Sequence, residues 1–263
     1  MRPSAAETAR TLARGRLPGL VRFDDGHLGG LPVAGIRHAA DRLGRPLLLA
    51  PAGEELATRL ARTDGPVRLS LSVDDVPPRL GAPSLGRVRV VGTLHPVPAR
   101  ETRAAVLEYA ASSADPDLFD VGSGNGDRVA IHRLEPSRVT LNRGGATEII
   151  DPAAYAAAEP DPLHECEQDL LHDLADHHLP QLEDYLRRLL DDPAAFAHGS
   201  PQAMRLDRYG IVLDLNQGPD PAGPARRRWM RLEFARPVAG QHDLAHLLHP
   251  ILCAHRRCGD EDG

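Results

Sequence analysis

Residues 204–215 read MRLDRYGIVLDL and residues 229–234 read WMRLEF. Met204 and Leu206 alternate with Arg205 and Asp207. Beyond Arg208-Tyr209-Gly210, Ile211, Leu213 and Leu215 alternate with Val212 and Asp214. Met230, Leu232 and Phe234 alternate with Trp229, Arg231 and Glu233. A period of two places successive side chains on opposite faces, so the region predicts three half-buried strands with one apolar face. Something must cover that face, and the flanking sequence supplies it. Upstream, 163–176 predicts a helix with an inner stripe of Leu163, Cys166, Leu170 and Leu174. Pro180 suits the first turn of a second helix reaching about Leu190, with Leu182, Tyr185, Leu186 and Leu189 as its buried stripe. Downstream, a last helix starts near Gln241. The order helix, helix, three strands, helix predicts a small α+β domain with one sheet face covered.

The first half reads differently. Met1 to Arg16 predicts a short helix. Strands are predicted at 20–23, 33–38, 46–49, 67–73, 86–94, 128–134 and 138–142, separated by Gly, Pro and Asp turn signals at even spacing. That is the pattern of a barrel or sandwich. Two helices, 54–62 and 99–112, interrupt it. The stretch DPAAYAAAEPDPL at 151–163 reads as a linker, and divides an N-terminal domain, 1–158, from a C-terminal domain, 159–263. The fold class predicted is therefore α+β, an all-strand-rich barrel followed by a smaller α+β domain.

Composition narrows the function classes. The 263 residues are 41% apolar, enough for packed cores, and the net charge of −6 leaves no basic footprint for nucleic acid. All 31 basic residues are arginine, which excludes lysine Schiff-base chemistry. Cys166, Cys253 and Cys258 are odd in number and form no CxxC pair, so a reducing cytoplasm is expected. No apolar run approaches membrane-spanning length, and no leader-like apolar stretch stands near Met1.

Nine of the thirteen histidines fall in the last hundred residues. His242, His246, His249 and Cys253 are spaced to lie within about 60° of one another on the last helix. Leu244, Leu247, Leu248, Ile251 and Leu252 take the other side and must face the core, so the histidines face outward. Histidines four apart with a thiolate nearby can hold zinc. Pro250 is expected to interrupt the helix, and no HExxH accompanies the set, so a solvated polar face is the stronger reading. His177 and His178 are expected to cap a helix C-terminus. His164 and His172 lie off the apolar stripe and read as solvated, Cys166 reads as core, and His255 sits on a polar tail. GSGNGD at 122–127 and RGG at 143–145 read as turns, because neither opens a helix after a strand. No GxSxG occurs, leaving a serine hydrolase without support. In GRVRVVG, Arg87 and Arg89 share one strand face and point out, toward solvent, a neighbour or an anionic ligand.

Taken together, LLHDLADHH with its following Tyr-containing helix, LDRYGIVLDL, and RWMRLEFARPV resemble the C-terminal domain of unknown function found on split β-barrels of the haem-oxygenase-like, haem-utilisation family. That family belongs to the pyridoxamine-phosphate-oxidase-like superfamily. His178 takes the place of the histidine in the family's Asp-His pair, and Tyr185 follows at the matching distance. Asp207, Tyr209 and Gly210 match the turn between strands, and Arg231 with Phe234 the Arg-x-x-Phe strand. GRVRVVGTLHPV resembles the barrel's central strand, and AIHRLEPSRVTLNRGGATEI its final hairpin. The resemblance implies an N-terminal split β-barrel, a homodimer, and haem held between a barrel and elements near the C-terminal module. It implies an axial ligand from the C-terminal tail, for which His255 is the nearest analogue and His249 the second. Arg87, Arg133 and Arg143 would meet the propionates. Some members degrade haem oxidatively and others only bind it or act through partners. APAGEELATRLART lacks the His and Asn that the family carries at the corresponding place. Flavin stands behind haem because the arginine-lysine phosphate clamp has no lysine here. A non-catalytic interaction protein with no cofactor, and a flavin-binding oxidoreductase, remain the alternatives.

Overall fold

The computed structural model describes residues 1–24, 31–63, 65–122, 128–191, 199–215 and 229–252, the last four by backbone alone. All but Gly122 of the turn expected at 122–127, as well as Cys253, His255 and Cys258, lies outside the described residues. The chain divides into two compact units. One comprises Ser4–Val76 and Ser84–Pro160, the other Met1–Pro3, Pro77–Pro83 and Asp161–Gly263.

The first unit is a curled antiparallel sheet. Its strands are β1 (Gly19–Phe23), β2 (Val33–Ile36), β3 (His38–Ala40), β4 (Pro46–Pro51), β5 (Val67–Asp74), β6 (Arg87–Pro96), β7 (Val129–Arg143) and β8 (Ala146–Ile150). They run in the order β2-β1-β5-β6-β7-β4-β3, with β8 added to β7. The split lies at β7. Its first half pairs with β4 from Val129 to Arg133, its second half with β8 from Val139 to Arg143, and β6 accompanies it along the other edge. Val88, Val90 and Leu94 of β6 enter one core with Leu69, Leu71, Val73 and Val21. The helix α1 (Ala5–Leu12) fills that core with Ala9 and Leu12. Its start is fixed by a capping box, in which Ser4 Oγ accepts from Glu7 N at 3.2 Å and Glu7 Oε2 from Ser4 N at 2.8 Å. Two further helices, α2 (Glu55–Leu60) and α3 (Ala99–Ala110), complete the unit with α4 (Pro152–Ala157). Tyr109 and Ala105 of α3 cover a second core over Leu47, Leu49 and Ile131.

Three expectations change here. The break expected at Glu135-Pro136-Ser137 is a bulge inside one 15-residue strand. Gly92 pairs with Pro136 and Val91 with Arg138, so Ser137 is an extra residue, and Pro136 sits where a ladder tolerates a missing N–H. Because of it Leu134 and Val139 both face the core although five residues apart. The single strand expected at 33–38 is two, β2 and β3, pairing with β1 and β4 respectively. The stretch read as a linker contains α4, whose Tyr155 is buried in the barrel core and donates its hydroxyl to Gly44 O at 2.9 Å. The RGG turn is borne out as the β7–β8 hairpin, with Gly144 and Gly145 both at positive φ, 57° and 83°.

The second unit follows the expected order. Helices α5 (Glu167–His177) and α6 (Leu179–Leu190) precede the strands β9 (Gln202–Asp207), β10 (Gly210–Asp214) and β11 (Trp229–Glu233), with α7 (Gln241–Leu252) last. The sheet order is β11-β10-β9, all antiparallel. Leu206, Ile211, Leu213, Leu232 and Phe234 form its apolar face and pack with Leu171, Leu174, Leu182, Leu186, Leu244 and Leu248. Burying each such side chain contributes about 1.5–3 kcal/mol. Leu189, expected in the stripe of α6, is exposed, and Cys166 is only partly buried at the start of α5. His164, expected in solvent, is buried, with Nδ1 3.8 Å from Glu167 Oε2. Pro250 does not end α7, which runs on to Leu252. Among the described residues no helix is long and apolar enough to cross a membrane.

Candidate functional site

The alternation that builds the barrel also builds a polar outer face. In β5, Leu69, Leu71 and Val73 face the core, leaving Arg68, Ser70 and Ser72 on the opposite face, where Arg68 is exposed and the two serines are buried. In β6, Arg87, Arg89 and Val91 face out for the same reason. The bulge in β7 then turns Arg138, Thr140 and Asn142 outward. Register sets these groups side by side. Arg22 of β1 faces Ser70, Ser70 faces Val91, and Val91 faces Arg138; one row on, Ser72 faces Arg89 and Arg89 faces Thr140.

Small serines on β5 leave room for the long side chains of their neighbours, and Arg89 Nη2 donates to Ser70 Oγ at 3.1 Å. Among the described residues Arg22, Arg68, Arg89 and Arg138 make no ion pair. Arg68, Arg89 and Arg138 line a cleft of about 580 Å³, together with Thr140, Asn142 and a single carboxylate, Asp24. That size falls within the range of small-molecule sites. Its chemistry is that of an anion receptor, since guanidinium forks match carboxylates and phosphates bidentately.

The residues singled out from sequence are dispersed. Arg87 lies on the outer face and is exposed, with Nε donating to Asp74 Oδ1 at 2.5 Å. Arg143 is at the β7–β8 hairpin, one residue past Asn142, which pairs with Arg87. Arg133 is ten residues away along β7, beneath α3, where Nη1 donates to Glu101 Oε2 at 2.8 Å and Nε lies 3.6 Å from Asp41. That bond holds the Glu101 carboxyl below its usual range. Structure thus brings Arg87 and Arg143 to one end of β7 and leaves Arg133 at the other. His249 is on α7, its side chain outside the described residues, and His255 lies outside them altogether.

Two histidines of the barrel were not singled out. His38 is fully buried, and burial pulls its pKa down to about 4. His132 is lowered for the same reason. His38 Nε2 and His132 Nδ1 find no hydrogen-bond partner among the described residues. Burial disfavours the charged form of both, His38 within the core and His132 half-buried on β7. Sequence reasoning also passed over Arg68 and Arg138, although VRLSLSV and PSRVTLN carry the alternation that turns them outward once the bulge is known.

The motif residues in the second unit hold its sheet together. Asp207 Oδ1 accepts from Arg231 Nη2 at 2.5 Å across β10 and from Tyr209 N at 2.8 Å. Gly210 admits the β11 backbone, since a Cβ there would stand 2.3 Å from Leu232 O. His177 Nδ1 lies 3.1 Å from Asp173 Oδ1, and His178 Nε2 is 3.7 Å from Asp173 Oδ2.

The fold these observations define is a split β-barrel joined to a small α+β unit. A solved structure shares this fold over nearly its whole length. A haem-binding protein from Mycobacterium smegmatis is similar over 97% of this chain and 98% of its own, with 23% identity and a TM-score of 0.69. The protein Atu2129 of Agrobacterium tumefaciens, of unknown function, covers 96% of this chain and 97% of its own at 18% identity and a TM-score of 0.42. Campylobacter jejuni ChuZ covers 54% of this chain and 59% of its own, at 10% identity and a TM-score of 0.40. No protein-family model matches the chain, and no curated protein matches it by sequence.

Proposed function

We propose that this chain is a cytoplasmic, homodimeric haem-binding protein that takes the ligand's propionates on the arginine-bearing outer face of its split barrel. The observation that carries the reading is the set of guanidiniums of Arg68, Arg89 and Arg138, which line one cleft without an ion pair among the described residues. The haem-binding protein of M. smegmatis, which shares the fold over nearly the whole chain, supports the choice of haem among planar anions. Haem supplies a redox-active iron; the chain's own task is to neutralise the propionates, exclude water and provide an imidazole. The reading assigns that imidazole to His255 or His249, with Arg87 and Arg143 as further cations at the rim.

Titration of the purified protein with hemin, followed in the visible spectrum, tests this. A Soret band that shifts, saturates at stoichiometric hemin and is weakened in His255→Ala or His249→Ala supports it. A spectrum that remains that of free hemin ends it. Protein that is yellow as purified favours a flavin on the same guanidiniums, which suit a phosphate equally well. Oxidative degradation is a separate claim: bound haem that survives dioxygen and a reductant unchanged removes it and leaves binding.

A further inference from the structure

The start of α7 carries two imidazoles that the proposed function does not use. His242 and His246 are one turn apart, so they share a helix face. Leu244 and Leu248 are buried in the core, which leaves both histidines exposed. Their Nε2 atoms converge to 3.1 Å, with the rings at 88° to each other. Two neutral imidazoles can share that contact only when one nitrogen carries the proton and the other accepts it; with both protons on the Nδ1 atoms, the two Nε2 lone pairs would converge on a single cation.

The carboxylate between them does not compete for it. Asp243 is taken by Arg236, whose Nη1 and Nη2 donate at 2.7 and 2.5 Å, and by Ala239 N at 2.9 Å. That pair fixes the helix start and leaves the imidazoles uncommitted. A metal–nitrogen bond of about 2.0–2.1 Å, applied to the observed separation, gives a bite angle of roughly 100°, between the square and tetrahedral values. Among the described residues no group of three or more His, Cys, Asp or Glu could hold a metal ion, so the described donors make a two-point site.

We propose that His242 and His246 form a bidentate chelate for a divalent transition metal of the copper, nickel and zinc group, its remaining positions open to water or to an external ligand. Affinity follows the order in which copper binds more tightly than nickel or zinc. It weakens as pH falls, because the ligand is the neutral imidazole. The metal ties together the first turns of α7, and binding to the folded chain alone raises the melting temperature.

The test uses the full chain without a polyhistidine tag, stripped with EDTA and titrated with Cu2+, Ni2+ and Zn2+ alone by calorimetry. His242→Ala and His246→Ala are each expected to weaken Cu2+ binding by at least about tenfold, since a lost ligand costs no less than a lost outer-shell partner. Each is expected to abolish the metal-dependent rise in melting temperature, while the metal-free melting temperature stays that of the parent. His177→Ala, beside Asp173, is expected to bind as the parent does. Binding that survives both His242→Ala and His246→Ala overturns the proposal, and so does a loss in His177→Ala equal to theirs.

Discussion

Arg205 and Glu167 face each other as a buried bidentate ion pair, Nε to Oε1 at 3.0 Å and Nη2 to Oε2 at 2.9 Å. The pair ties β9 to the start of α5. Glu167 Oε1 also accepts from Leu206 N at 3.0 Å, and Arg205 Nη1 donates to Pro83 O at 3.1 Å. Removing one partner strands the other charge away from water. Glu167→Ala is expected to destabilise the second unit by about 3–5 kcal/mol, and the double substitution Glu167→Met with Arg205→Met by less than the single one. Urea unfolding of the two variants checks this; equal or additive losses would show that the pair is not coupled.

This pair also marks where sequence reading stops. The period of two in MRLDRYGIVLDL makes β9 and β10 legible, although Met204 is an extra residue at a register shift and Ala203, not Met204, joins Leu206 in the apolar cluster. Arg205 was then placed on the polar face, where an exposed side chain is the ordinary outcome. Whether a charge on such a face is buried depends on what packs above it, and residues 38 positions away decide that. The same limit explains His164, whose helical position looked polar until Glu167 closed over it. The candidate cleft was half legible: Arg87 and Arg89 were read as outward from their valine neighbours, but Arg138 depends on a one-residue bulge that reverses the alternation.

That bulge gives a second prediction. A Cβ at Gly92 would lie 2.0 Å from Glu135 O, a backbone atom with no room to yield. Gly92→Ala is expected to destabilise the barrel by about 1–3 kcal/mol, the usual range for overpacking, or to slip the β6–β7 register. Thermal unfolding measures the first outcome, and loss of the slowly exchanging amides of β7 the second. A variant with parental stability would mean that β6 and β7 separate there at no cost.

Two buried groups tie stability to pH in opposite senses. The pKa of His38 falls to about 4 by burial, while its ordinary value is about 6.5. Below the ordinary value the unfolded chain binds a proton that the folded chain refuses, so the stability contributed by neutral His38 is complete above about pH 6.5 and is lost as pH falls toward 4. The loss is about 3 kcal/mol in full. Asp161 runs the other way. Burial raises its pKa to about 6, against the pull of its bonds from Leu163 N and Arg208 N. Its contribution is present at low pH and is lost as pH rises through about 4 to 6. Imidazole NMR should show His38 neutral at pH 5, and Asp161→Asn should remove the fall in stability above pH 4 without touching the His38 titration. A His38 midpoint near 6.5 would refute the first half.

The arginines provide the last prediction, because the barrel uses them in two ways. Arg133 is mostly buried and bonded to Glu101, so its guanidinium is committed to holding α3 against β7. Arg89 and Arg138 stand over the cleft with no carboxylate partner among the described residues. If propionates occupy that cleft, Arg89→Ala and Arg138→Ala each remove a charge-assisted bond worth about 1.5–3 kcal/mol, which is roughly a tenfold to hundredfold loss in hemin affinity. Arg138→Ala should not lower the melting temperature by more than a degree or two, whereas Arg89→Ala also removes the bond to the buried Ser70 hydroxyl and should cost a further ~0.5–1.5 kcal/mol of stability. Arg133→Ala should do the reverse, lowering stability while leaving hemin affinity per folded molecule unchanged. Hemin titration and thermal melts on the same three variants separate the two roles. A hemin affinity that drops in Arg133→Ala and holds in Arg89→Ala and Arg138→Ala would move the propionates off this face.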